Sequence, residues 1–126
     1  MIFVDTNVFM YAVGRAHPLR EEARSFFLEH VESGEGLVTS SEVLQELLHA
    51  YLPVDRLATL DAALALARER TVQCWSVEVD DVLLARDLVA RHRSLGARDL
   101  LHLACCARRG VKRIRTFDRA LAAAFD

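Results

Sequence analysis

The chain has 126 residues, enough for one domain over 1–126 and too few for two ordinary ones. Hydrophobic residues make up 52%, well above a disordered composition, so a buried core is within reach. With 16 basic and 18 acidic residues the formal net charge is −2, which excludes a uniformly basic nucleic-acid coat but leaves room for a local patch. The three cysteines, Cys74, Cys105 and Cys106, are odd in number and two are neighbours, so no disulfide framework is legible and a reducing, cytoplasmic setting is expected. No signal-peptide pattern opens the chain and no uncharged apolar run reaches the roughly 18 residues of a membrane span, so neither is expected.

Taken in order, Ile2-Phe3-Val4 is a short β-prone run, ended by Asp5-Thr6-Asn7. These three are good N-caps for a helix over Val8–Val13, stopped at Gly14. Pro18 suits the first turn of a helix over Leu19–Glu32 with an apolar stripe of Ala23, Phe26, Phe27 and Val31. After the Ser33–Gly36 turn, Leu37-Val38-Thr39 reads as a strand, and Ser40-Ser41 cap a helix to Tyr51 that Pro53 stops. Asp55 caps a helix over Arg56–Arg70, and Thr71–Val79 is β-prone. Asp80 or Asp81 caps a helix to about Arg93, with Val82, Leu84, Ala85, Leu88 and Val89 inward. Arg98–Arg109 is helical up to Gly110, Val111–Phe117 is a strand, and Asp118 caps a last helix over Arg119–Phe125. Short apolar strands alternating with helices imply an α/β fold, a parallel sheet of four strands covered on both faces.

The acidic residues are more informative than their total. Ligands of an open parallel sheet bind outside the carboxyl ends of its strands, at the switch point of the winding. Asp5 ends the first strand and Asp118 follows the fourth; if those strands are neighbours, the two carboxylates converge. Glu46 borders the apolar side of the helix after the second strand, and Asp99 opens the helix that carries Leu100, Leu101, Leu103 and Ala104. Each has an ordinary structural reading: Asp5 and Asp118 as caps, Asp99 as a first-turn dipole partner, Glu46 as a solvated glutamate. Four converging carboxylates, however, call for a hard divalent cation; oxygen-only ligands select Mg²⁺ or Mn²⁺ over zinc, and such a site can drive phosphodiester hydrolysis.

The motifs together resemble the PIN-domain ribonucleases, most closely the VapC-type toxins of type II toxin–antitoxin pairs. The resemblance runs from Ile2-Phe3-Val4-Asp5-Thr6-Asn7, through Ser40-Ser41-Glu42-Val43-Leu44-Gln45-Glu46-Leu47 and Arg98-Asp99-Leu100-Leu101-His102-Leu103-Ala104, to Thr116-Phe117-Asp118. It implies a three-layer α/β/α fold and a Mg²⁺- or Mn²⁺-dependent endoribonuclease. Asp5, Glu46, Asp99 and Asp118 would be its catalytic metal ligands, with Thr6, Asn7 and Thr116 orienting carboxylates or waters. It also implies an RNA substrate, a cognate antitoxin and a homodimer. The family's usual short fifth strand has no counterpart after Phe125-Asp126. The alternative is a catalytically silent PIN-like module that binds RNA or a protein.

Other residues divide less sharply. His102, three residues after Asp99, suits a buried, hydrogen-bonded histidine better than a catalytic base. Zinc on His102, Cys105 and Cys106 is disfavoured, since adjacent helical cysteines point about 100° apart. Arg108, Arg109, Lys112, Arg113, Arg115 and Arg119 form a basic run that reads either as an RNA phosphate surface or as a solvated face. Glu21, Glu22, Glu29, Glu32 and Glu35 read as a solvated helix face, and Trp75, Phe26 and Phe27 as core or dimer interface.

Overall fold

The computed structural model describes residues 1–126. Four strands, β1 (Ile2–Val4), β2 (Leu37–Ser40), β3 (Gln73–Trp75) and β4 (Arg113–Arg115), form one parallel sheet in the order β3-β2-β1-β4. Every residue of β1 and β2 is buried, as central strands covered on both faces require. The edge strands are more polar: Gln73, Cys74 and Arg113 are exposed. The sheet has four strands, and the segment after β4 forms a turn and the helix Arg119–Ala123.

Seven helices connect and cover these strands: α1 (Thr6–Val13), α2 (Pro18–Ser33), α3 (Ser41–Tyr51), α4 (Leu57–Arg70), α5 (Val79–Asp87), α6 (Ala97–Arg108) and α7 (Arg119–Ala123). The crossovers β1–β2 and β2–β3 carry α1 to α4 in one direction along the sheet. The crossover β3–β4 carries α5 and α6 back past both central strands. Because such crossovers are right-handed, the reversal puts the two helix sets on opposite faces and opens the switch point between β1 and β4. Phe3, Val8, Phe9, Val38, Val43 and Leu47 form the centre of the main core. A smaller cluster of Ala85, Leu95, Leu100, Leu103, Ala104 and Leu121 joins α5, α6 and α7.

Several boundaries differ from those the sequence suggested, for local reasons. Asp55 does not cap α4; it sits in the left-handed region at φ 55°, and Arg56 takes the cap position without a side-chain bond. The helix expected to reach Arg93 ends at Asp87, and the chain continues through tight turns at Leu88–Leu95. Strand pairing is confined to the residues with a neighbour, so β3 and β4 are shorter than their β-prone runs. Val31 and Val82 are exposed rather than inward-facing. Gly34 and Gly110 do end their helices in left-handed conformation, where a side chain would be strained.

Asp81 is not the cap of α5 but its third residue. Glu78 takes the cap, and the two side chains form a reciprocal capping box. Asp81 is fully buried, and its carboxylate accepts bonds from Arg108, the last residue of α6, and Arg109, which follows it, both at 2.8 Å. Burial works to raise its pKa, but the bonds from Arg109, the Glu78 amide and Arg108 outweigh it and hold the carboxyl well below its usual range. The Arg109 guanidinium also lies 5.0 Å over the Trp75 ring, tying β3 to this clamp. Asp81→Ala is therefore expected to destabilise the fold by about 2 kcal/mol, because it removes the central acceptor of the clamp and opens the cap, while Glu78 and Asp80 still face the two arginines. The clamp is complete above the ordinary carboxylate pKa of about 4 and is lost as pH falls from there toward the depressed value. The Tm gap between native protein and variant should thus be widest near neutrality and narrow in acid; a gap independent of pH would contradict the clamp.

Candidate active site

Asp5 leaves β1 with its backbone N–H donating to the Arg115 carbonyl of β4, 3.0 Å away, so the two strand ends are stitched together at the switch point. Its side chain caps α1, accepting from the Thr6 amide at 2.8 Å on Oδ1. The other oxygen accepts from the Thr116 hydroxyl at 2.7 Å. That hydroxyl in turn accepts from the Asp118 amide at 3.0 Å and from Asn7 Nδ2 at 3.2 Å, while Asn7 Oδ1 accepts from the Phe117 amide at 3.2 Å. Thr116 and Asn7 thus fix the turn after β4 against the start of α1. Asp118 caps α7 through the Leu121 amide at 3.1 Å and faces the same cleft.

Glu46 comes from the middle of α3, where its side chain is 13% exposed rather than solvated. Thr6 Oγ1 donates to one of its oxygens, and His102 Nε2 lies 2.8 Å from the other. His102 is fully buried on α6, its ring 5.3 Å from that of Phe3, with Nε2 also 3.6 Å from Asp5 Oδ1. Its Nδ1 is buried without a partner. The histidine therefore stands between the two carboxylates, hydrogen-bonded to Glu46 and at ion-pair distance from Asp5. Its three-residue spacing from Asp99 was visible in the sequence, but nothing there placed it against Glu46. Cys105 and Cys106, one turn further, are buried, and burial pushes both thiols up, Cys105 to about 11.

Asp5, Thr6, Asn7, Glu46, Asp99 and Asp118 line one cleft of about 480 Å³, with Arg98, His49 and Met10 at its walls. All four candidate acids are thus brought together from four different elements. Atoms of Asp5, Glu46 and His102 lie within 4.8 Å of one another. Burial raises the pKa of Asp5 against the counter-pull of His102. Burial also raises that of Asp99, reinforced by the charges of Asp118 and Asp5. Glu46 goes the other way: burial is outweighed by its bond and charge interaction with His102 and by the bond from Thr6. Burial works against a charged His102, but Glu46 and the charges of Asp5 and Asp99 raise its pKa overall. Carboxylates resisting ionisation beside one another are a donor set that a hard divalent cation would relieve, so the chemistry fits such an ion.

The basic run is placed differently. Arg108 and Arg109 are committed to Asp81, Arg113 pairs with Glu35, and Arg115 pairs with Glu22 at 2.8 Å. Glu22 remains exposed beside its arginine, and Glu35 is half-buried. Arg115 is further covered by the Phe26 and Phe117 rings. Lys112 and Arg119 are exposed, and none of the six cations lines the acidic cleft. Four of the six are thus paired with carboxylates of α2, α5 and the turn before β2, and Lys112 and Arg119 are not.

Comparison with known proteins agrees with this architecture. The family model described as PIN domain matches residues 2–125. The chain is 64% identical over 125 residues to Ribonuclease VapC23 of Mycobacterium tuberculosis, covering 99% of this chain and 98% of that one. It is 38% identical over 119 residues to Ribonuclease VapC13 of the same organism, covering 94% and 91%. In fold it superposes on the crystal structure of Mycobacterium tuberculosis VapC20, described as a sarcin–ricin-loop-cleaving toxin, with a TM-score of 0.76, 24% identity and coverage of 98% and 95%. A match along nearly the whole length, with the acidic cleft at the switch point of the sheet, means that this chain belongs to the PIN-domain family, among its VapC-type ribonucleases.

Proposed function

We propose that the protein is a Mg²⁺- or Mn²⁺-dependent endoribonuclease that hydrolyses RNA phosphodiester bonds as the toxin of a toxin–antitoxin pair. The observation that carries this reading is the convergence of Asp5, Glu46, Asp99 and Asp118 on one cleft. Asp5 and Asp99 would be the principal ligands of the ion, with Glu46 and Asp118 completing the set. When bound, the cation supplies charge that polarises a phosphoryl oxygen and makes a water acidic enough to attack phosphorus. The chain's own groups do the rest. Thr116 and the Thr6 amide hold Asp5 in one rotamer, and His102 with Thr6 holds Glu46. Arg98 at the wall offers a positive group for a phosphate. The catalytically silent alternative has no observation in its favour, since none of the four acids is missing or turned away.

Partners are proposed on the same footing. Two apolar grooves lie outside the cleft, one lined by Ala12, Val13, Phe27 and Leu66 between α1, α2 and α4, the other by Val82, Ala85, Val89 and Leu100 between α5 and α6. They suit an antitoxin segment and a second copy of the chain. No helix is long and apolar enough to cross a membrane. Three free cysteines, two of them buried, support a reducing cytoplasmic location.

The direct test is incubation with structured and unstructured RNA in Mn²⁺, Mg²⁺ or chelator. Cleavage should require the metal and fall to background in Asp5→Asn and Asp99→Asn; cleavage surviving both substitutions would overturn the assignment. Thr116→Val removes one hydroxyl from a three-way junction without touching a ligand atom. It should weaken metal activation or turnover by about 10–100-fold while leaving the fold intact by circular dichroism. An unchanged metal titration would show that Thr116 orients nothing.

A further inference from the structure

A second cleft, of about 810 Å³, adjoins the acidic one and shares Asn7 and Met10 with it as a common sill. Its walls are Tyr11, Arg15 and His17 from the end of α1 and the following loop, and Tyr51, Val54 and Arg56 from the α3–α4 connection. The charge here is of the opposite sign from the acidic cleft. Arg15 is exposed and makes no ion pair; Arg56 makes none either, donating only to Thr59 Oγ1 at 3.2 Å and lying 5.9 Å over the Tyr51 ring. This contrasts with Arg108, Arg109, Arg113 and Arg115, which all have carboxylate partners. His17 accepts the Leu19 amide on Nδ1, which leaves Nε2 as the free nitrogen of the ring. The Tyr11 ring is tilted against His17 at 4.9 Å and meets Phe117 edge-on at 5.3 Å, so it is held in place at the wall.

Unpaired cations beside a braced aromatic ring, continuous with a hydrolytic cleft, are what a single-stranded nucleic acid requires beyond its scissile bond. We infer that this second cleft is the subsite for the RNA strand flanking the cleaved phosphate, with Arg15 and Arg56 on backbone phosphates and Tyr11 beside a base. The inference rests on reading the acidic cleft as the cleavage centre, and it locates the phosphate surface here rather than along Arg108–Arg119. Cations without carboxylate partners lose no intramolecular pair when a phosphate arrives, and their contacts release counterions from the RNA.

The test is fluorescence anisotropy of a labelled oligouridylate in chelator, with salt varied. Arg15→Gln/Arg56→Gln should weaken binding about tenfold at low salt. It should also flatten the log–log salt slope by about 1.4, since each phosphate contact on a single strand contributes about 0.7. Arg15→Gln alone, at an exposed position with no structural partner, should flatten it by about 0.7, which keeps the test valid if loss of Arg56 perturbs α4. Arg68→Gln, another exposed arginine late in α4, should leave the slope unchanged. Equal slopes in native protein and Arg15→Gln, or no binding by the native protein, would overturn the subsite. So would intact RNA binding with a weakened antitoxin complex, which would make the groove a protein site. Binding is read without turnover. A failed cleavage assay with the slope change present would therefore sink the hydrolytic reading alone.

Discussion

Everything at the functional end of this molecule follows from one electrostatic conflict. The backbone bond from Asp5 to the Arg115 carbonyl fixes β1 and β4 side by side, and the turns that follow bring Asp5 and Asp118 to the same crevice. Helices packed on opposite faces then deliver Glu46 and Asp99 to it. Like charges in a half-buried cleft repel strongly because little water screens them. The fold answers with directed donors: Thr6 on Glu46, Thr116 on Asp5, and the buried His102 between Asp5 and Glu46. These hold Asp5 and Glu46 in place but do not supply enough positive charge to balance four carboxylates. On the proposed reading, the remaining deficit is what a divalent cation would meet.

The rest of the scaffold keeps that crevice from relaxing. Asp81 ties the start of α5 to the end of α6, and Arg109 extends the tie to Trp75 on β3. Arg115 joins β4 to α2 through Glu22 and the Phe26 ring. Both devices lie away from the cleft, yet they set the positions of α6 and β4, the elements that bear Asp99 and precede Asp118. Arginine fits this work because its planar fork meets carboxylates at two points and lies flat on aromatic rings. Cations engaged in this way are poorly placed for RNA, so a substrate surface must be sought among the arginines left without carboxylates.

The architecture was readable because its signals are local. A β-prone run closed by Asp5, a helix opened by Asp99 and a strand closed by Thr116-Phe117-Asp118 need only near neighbours to be recognised. The strand order entered only as a condition, that the first and fourth strands be neighbours, because winding rules narrow the possible orders without choosing among them. What could not be read depends on distant partners. Asp81 looked like a cap because its arginines lie 27 and 28 residues further on. Arg113 and Arg115 looked free because Glu35 and Glu22 are 78 and 93 residues away. His102 was visible as a histidine near Asp99, but its contact with Glu46 spans 56 residues and depends on the packing of two faces.

On this reading, carboxylate repulsion in the cleft opposes folding, and a divalent cation would relieve it. Thermal unfolding of the native protein and of Asp99→Asn, each in chelator and in Mn²⁺ at neutral pH, tests this most directly. In chelator the variant should have the higher Tm, because one repelling charge is gone at little cost in volume. Adding Mn²⁺ should raise the native Tm and move the variant's far less. A variant less stable than the native protein in chelator, with both responding equally to Mn²⁺, would contradict the account.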